Sequence, residues 1–272
     1  MPYIILDRVT VHGANAQSHY LAVSGISPVA YLGFSRAFIA KLLQYDLELP
    51  RYLALRESAK VQVSIIHHHT EMLGDRYENS SFGFAQYKGQ DATSTIRTPK
   101  DDLSHSLQPT ARCNTAASLI IKTDLRSLTS AAKAIAEEMR IAGGQIQDIR
   151  GVRLEKDLSE LRMPGGFFIT DRTDLLAAVP AQERMHKLIS ELSLRNKHRL
   201  NKSDDESIPW LAPMNLGYLP ISEPVEINGR TSHACYAEPL LGLIQYVSTR
   251  SIETIPFWQY AATNGAFIVS QS

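Results

Sequence analysis

The sequence predicts an α+β chain built on a ferredoxin-like βαββαβ unit, with a long insertion and a C-terminal α+β extension. Three observations lead there. The chain has 272 residues and 44% hydrophobic composition, enough to bury a sizeable core. Segments of strand period and helix period follow one another over roughly the first 150 residues in the order strand, helix, strand, long polar segment, strand, helix, strand. No window approaches the roughly 18 consecutive apolar residues of a membrane span, and no basic stretch followed by an apolar one opens the chain, so a cytoplasmic protein is expected. The expected organisation is residues 1–152 for the ferredoxin-like domain, carrying insertion 71–112, and 153–272 for the extension.

The first strand is YIILDRVTVH, in which Ile4, Leu6, Val9 and Val11 are the apolar members and Asp7–Arg8 interrupts the alternation. SPVAYLGFSRAFIAKLL then reads as a helix, with Ser27 as N-cap and Pro28 at the first helical position. Val29, Leu32, Gly33, Arg36, Ala40 and Leu43 fall near one face, and Gly33 would let the helix approach a sheet closely. In SAKVQVSIIHHHT, Val61, Val63 and Ile65 alternate as in a half-buried strand.

Glu71 to Arg112 is polar and mixes Tyr77, Phe82, Phe84 and Tyr87 with Arg76, Lys88 and Arg97. A connection of that length is usually functional or mobile. AASLIIKTD returns to strand, SLTSAAKAIAEEMRIAGG reads as the clearest helix with Gly143–Gly144 as its stop, and QIQDIRGVRL as the next strand. The extension starts with MPGGFFITDR, continues in a helix from about Asp174 to Arg199, and ends in short strand-like pieces between prolines.

Lys plus Arg and Asp plus Glu each number 28, so net charge gives no support to a surface basic all over. A local basic face remains at Met185 to Lys202, where Lys187, Arg195, Lys197, Arg199 and Lys202 gather; cations suiting a helix C-terminus explain them equally well. Cys113 and Cys235, far apart and without a CxxC, predict reduced, buried thiols.

His67, His68 and His69 invite a metal or acid–base reading. On a strand, however, successive side chains point to opposite faces, and no HExxH or Cys/His cluster supplies further ligands. No metal or other cofactor is therefore expected. The sequence has no GxSxG elbow, no Walker loop and no GxGxxG after a strand, so catalysis has no positive support. The pattern that remains suits an extended polymer: small polar residues at a strand end, Arg36 and Lys41 on a helix, and an insertion mixing cations with aromatics. On composition alone, aromatics lying between charges are more often satellite core than a stacking platform.

Gly13 to Phe38 adds a resemblance. Ala14, Asn15 and Ala16, then Pro28, Ala30, Tyr31, Gly33 and Phe34, resemble the start of the Csy-complex family of type I-F CRISPR proteins, which has an apolar strand, an NANA-like loop and a helix of Pro-x-Ala-Phe/Tyr-x-Gly-Phe pattern. MRIAGGQI, Met139 to Ile146, is similar to the family's second motif, and PGGFFITDRTDLL with PWLAPMNLGYLPISEP resembles its C-terminal half in order and approximate spacing.

The resemblance implies an RRM-related fold of the repeat-associated (RAMP) kind, no nuclease activity, and a place at the 5′ handle of a CRISPR RNA. The implied protein partners are the backbone subunit and the large subunit or its substitute, in antiviral defence, with target DNA left open and no membrane. Carried over, it puts Asn15, Ala16, Gln17, Ser18 and His19 at the RNA-facing strand end, Arg36 on the helix, and Arg76, Lys88 and Arg97 on the wrapping insertion; His68 completes the set at the end of its strand. Other readings stay open: a repeating backbone subunit of a variant complex, an RNA-processing endonuclease with a histidine as general base, and a scaffold that touches no RNA. For Asn15 the alternative is a side chain that only stabilises its own turn.

Overall fold

The computed structural model describes residues 1–17, 19, 22–46, 61–73, 111–125, 127–158, 163–177, 179–200, 210–223, 225–226, 233–263 and 266–271. The fold is mixed α/β, with few helices and one large antiparallel sheet. The first part of the chain supplies strands β1 (Tyr3–Asn15), β2 (Gln62–Leu73), β3 (Arg112–Lys122), β4 (Arg140–Ile141) and β5 (Gly144–Glu155). Helix α1 (Pro28–Asp46) lies between β1 and β2, and α2 (Ala132–Glu137) lies between β3 and β4. After β6 (Phe167–Asp171) come α3 (Asp174–Ala177), a turn of 3-10 helix and α4 (Arg184–Leu200). The chain then returns to strand as β7 (Trp210–Pro220), β8 (Val225–Glu226), β9 (His233–Ala234), β10 (Ala237–Ser248), β11 (Trp258–Thr263) and β12 (Ala266–Gln271).

Ten strands form one sheet in the order β11-β12-β7-β10-β6-β2-β3-β1-β5-β4, and β8 and β9 pair apart as a small second sheet. The large sheet also turns back on itself. Trp258 of β11 pairs with Val63 of β2, so β2, β6, β10, β7, β12 and β11 close a ring. Trp258 is fully buried there, and its indole N–H donates to the Ile169 carbonyl at 2.9 Å.

One sheet face is covered by α1. Tyr31, Leu32, Phe34, Phe38, Ile39, Leu42 and Leu43 are buried with Val63, Ile65, Leu119, Ile121, Met214 and Ile244 in the main core. On the opposite face Ile5, Ile66, Ile120 and Phe168 form a smaller cluster under Leu158, Met163, Ile252, Ile255 and Phe257.

Several expectations change. Gly33 does not bring α1 close to the sheet: a Cβ there would meet nothing within 4 Å. The close approaches belong to Tyr31 and Leu32, which point inward. The helix expected through Met139 stops at Glu137, because Arg140–Ile141 pairs with Gly144–Gln145 in a tight hairpin. Its turn residues Ala142 and Gly143 have φ of 49° and 76°, so Gly143–Gly144 makes a hairpin turn and not a helix stop.

The helix expected from Asp174 to Arg199 is divided near Pro180 into α3 and α4. Of the late strands β7 and β10 are long, at 11 and 12 residues, whereas β8, β9, β11 and β12 are short; β2 and β3 reach to Leu73 and from Arg112, taking both ends of the expected insertion into the sheet. Cys235 is exposed, whereas Cys113 is buried and burial raises its thiol to about 11. Both are free thiols, and no helix among the described residues is long and apolar enough to cross a membrane.

Candidate nucleic-acid interface

Two sequence motifs distant in the chain meet at the end of β1. Gly13 has φ of 65°, where β1 bulges between Val11 and Ala14. Its N–H donates to Asn114 Oδ1 at 3.1 Å, and its carbonyl accepts from Arg112 Nη1 at 2.8 Å. Next along the strand, Asn15 pairs with Arg112, and its N–H donates to the carbonyl of Ala142 at 2.9 Å. A Cβ on Gly144 would lie 2.7 Å from both Cα and N of Ala14. The Gly-Ala-Asn-Ala end of β1 therefore sits directly on the Ala-Gly-Gly turn of the β4–β5 hairpin, and only glycine fits at the contact.

The side chain of Asn15 is exposed, and its Oδ1 accepts the Gln17 N–H at 3.0 Å. That is an Asx turn, the structural role weighed for Asn15 from sequence. Ala16 is fully buried, with its N–H on Ala111 O at 2.9 Å, and Gln17 is half-buried. His19 is also buried and is held by the backbone of Pro239; burial lowers its pKa. Asn15, Gln17 and Arg112 thus share one rim, with Ala16 and His19 fastening it from beneath. Arg112 was hidden in the sequence because it seemed to end the insertion; its place before the alternating run Cys113-Asn114-Thr115 was the available signal.

His68 lies elsewhere, farther along the same face of the sheet: its partner Ser118 and the rim's Arg112 are alternate positions of β3, whose intervening Cys113, Ala117 and Leu119 point into the main core. β2 bulges between His67 and His69, and β1 bulges between Leu6 and Val9, on either side of Ser118 in β3. The Arg8 N–H donates to Ser118 Oγ at 2.9 Å, the Ser118 hydroxyl is 3.2 Å from Asp7 Oδ1, and His68 Nε2 is 2.8 Å from Ser118 Oγ. His68 Nδ1–H donates to the Gly165 carbonyl at 2.9 Å, and Arg150 Nη1 stands 4.0 Å from Asp7. Burial is the largest influence on His68 and lowers its pKa. Ser118 is fully buried, so its hydroxyl does not meet solvent.

His67 faces the other way, against Tyr246 with ring centroids 5.2 Å apart, and burial lowers its pKa to about 4. The triplet is therefore split between faces, but the bulge pairs His69 with Ala116 and so places it on the side of His68, where strict alternation would have placed it with His67. Among the described residues no group of three or more His, Cys, Asp or Glu side chains is placed to hold a metal.

Arg36 is exposed on α1 with its guanidinium carbon 4.7 Å from the centroid of the Tyr260 ring. Tyr260 in turn meets Phe267 edge-on at 4.4 Å, and Tyr218 continues the row at 6.4 Å from Phe267. Arg36 thus belongs to a cation–aromatic row on the β11–β12–β7 side and not to the Asn15 rim. Ser18, Arg76, Lys88 and Arg97 lie outside the described residues.

No curated protein sequence matches this chain. Among solved structures it is similar to a CRISPR protein from Archaeoglobus fulgidus, at 10% identity and a TM-score of 0.36, with 100% of each chain covered. Residues 4–267 match the family described as CRISPR-associated protein (Cas_Csy2). That span takes in both motifs that meet at Ala14 and Gly144, and the chain belongs to the Cas_Csy2 family, whose members are components of the Csy complex and partner other Cas subunits.

Proposed function

We propose that this chain is a non-catalytic CRISPR RNA-binding subunit of a type I-F Csy complex, seated at the 5′ handle of the guide RNA beside the backbone subunits in antiviral defence. The strand order β2-β3-β1-β5, with α1 and α2 as the connections, supports reading the first part as a ferredoxin-like core of the RRM-related, RAMP kind. The observation that carries the RNA reading is the rim at the end of β1. Gly13 O pins the Arg112 guanidinium beside the exposed Asn15 carboxamide, so a cation and an amide are fixed together on a backbone that cannot slide. A guanidinium suits phosphate oxygens, and a carboxamide suits a base edge or a sugar hydroxyl.

The test is binding of repeat-derived single-stranded handle RNA to the purified chain. Affinity should fall steeply with salt, as phosphate contacts require. Asn15→Ala with Arg112→Ala should weaken it by at least about 30-fold, the size of a lost charge-assisted hydrogen bond plus a neutral one, with the RNA left uncut. Unchanged affinity in the double variant would remove the rim from the site, and cleavage by the isolated chain would overturn the non-catalytic reading.

A further inference from the structure

Beyond Tyr218 the strands β7 and β10 continue as a ribbon with no third strand beside them among the described residues. Phe267 and Ile268 of β12 pair with Tyr218 and Gly217, whereas Leu219↔Glu238 and Pro220↔Ala237 pair only with each other. The ribbon goes on through the Ile221 N–H bonded to the Tyr236 carbonyl at 2.9 Å, and through Val225↔Ala234 and Glu226↔His233 of β8 and β9. Ser222 Oγ accepts the Tyr236 N–H at 2.9 Å, which ties the two sides where regular pairing lapses. The backbone is thus internally paired, and the ribbon is rooted where His19 meets Pro239 and Tyr218 meets Phe267.

Its side chains are unlike those of a solvated arm. Leu219 is 43% exposed, Ile221 59%, Val225 61% and Tyr236 80%. A two-stranded ribbon is marginal in water, and exposed large apolar side chains gathered on one such element mark a binding surface. The charged residues among them all have one sign: Glu223, Glu226 and Glu238 are exposed, and no Lys or Arg occurs among the described residues of the ribbon.

We infer that this ribbon docks another protein subunit of the Csy complex, through a partner surface with an apolar centre and a rim of Lys or Arg. The inference rests on membership of a family of complex components and not on the RNA reading. The carboxylates oppose the phosphates of a nucleic acid. A second copy of the chain would set its own ribbon carboxylates against these, and like charges across an interface cost affinity. A basic-rimmed protein surface meets both the apolar and the acidic components.

Cys235 stands next to Tyr236 and is exposed, whereas Cys113 is fully buried. Alkylation by N-ethylmaleimide, followed by mass spectrometry, therefore reads the ribbon directly, with Cys113 as internal control. Cys235 should react at least about tenfold more slowly in the assembled complex than in the isolated chain, as burial in an interface core requires. The same rate in the complex would overturn the proposal. So would slowing by handle RNA alone, or slowing that follows the chain's own concentration.

A second arm uses Ile221→Ser with Tyr236→Ser. Recruitment of the protein partners should weaken at least about tenfold, since truncated apolar anchors dominate interface energies, while the isolated chain binds handle RNA within about twofold of wild type. Undiminished assembly would count against the ribbon. RNA affinity, measured on the isolated chain, reports separately on the reading of the β1 rim.

Discussion

Strand β1 leaves regular pairing with β3 twice, and the two departures differ in what surrounds them. At Arg8 the chain takes φ of 47°, and the space is filled by side chains from other strands: Ser118, His68 and Arg150 close around Asp7. At Gly13 the chain takes φ of 65°, and backbone and side chains share the contacts: Gly144 presses on Ala14, Ala142 O receives the Asn15 N–H, and the Asn114 and Arg112 side chains bond Gly13 itself. A bulge re-aims the residues after it. At the first the re-aimed groups face inward to a buried hydroxyl, while at the second they form an exposed rim. The first ties strands together around a buried group; the second leaves the exposed Asn15 side chain available for something else.

The sharpest way to break this contrast is Gly144→Ala. The new methyl would meet backbone, which cannot rotate away, so about 2–3 kcal/mol of stability should be lost, as for overpacked cores. Urea unfolding measures it, and a neutral result would show that the β4–β5 turn yields. At the Arg8 bulge, Ser118→Ala deprives the Arg8 N–H and His68 of a partner and should cost about 1–2 kcal/mol, the penalty of unmade buried hydrogen bonds.

The same bulge has a pH signature. Folding holds the pKa of His68 below its ordinary 6.5, so in acid the unfolded chain takes up more protons than the folded one. The stabilisation is therefore complete above 6.5 and declines as the pH falls below it. The stability advantage of wild type over His68→Asn should shrink on acidification; an advantage that grows would mean that Asp7 outweighs desolvation. Smallest of all, Arg8→Gly should stabilise by less than about 1 kcal/mol, because relief of a left-handed backbone is partly offset by a looser unfolded chain.

Legibility in the sequence follows the same division. The segments that hold the Gly13 bulge and the β4–β5 turn were both picked out by their resemblance to family motifs, although the second was read as a helix stop. The interruption at Asp7–Arg8 was visible as broken alternation. Its cause was not, since Ser118 and His68 arrive from far along the sequence. Gly33 misled for the opposite reason: glycine tolerates close approach but does not require it, and here its surface is open. Arg112 was hidden because a cation beside a polar segment looks like part of that segment until strand pairing places it opposite Asn15. The ribbon escaped notice because strand period reports which side chains share a face and says nothing about whether that face is covered.

The ring closed by Trp258 and Val63 also bears on how the protein is made. β2 lies early in the chain and pairs with β3 along one edge. Its other edge is completed in two instalments, first by β6 at Ile66 and His67, then by β11 at Val63. On the ribosome the N-terminal half emerges with that edge open, and an unpaired hydrophobic strand edge is a template for wrong partners. Native closure waits until the indole of Trp258 has been synthesised, so the last part of the chain acts as the lock on a strand laid down near the beginning.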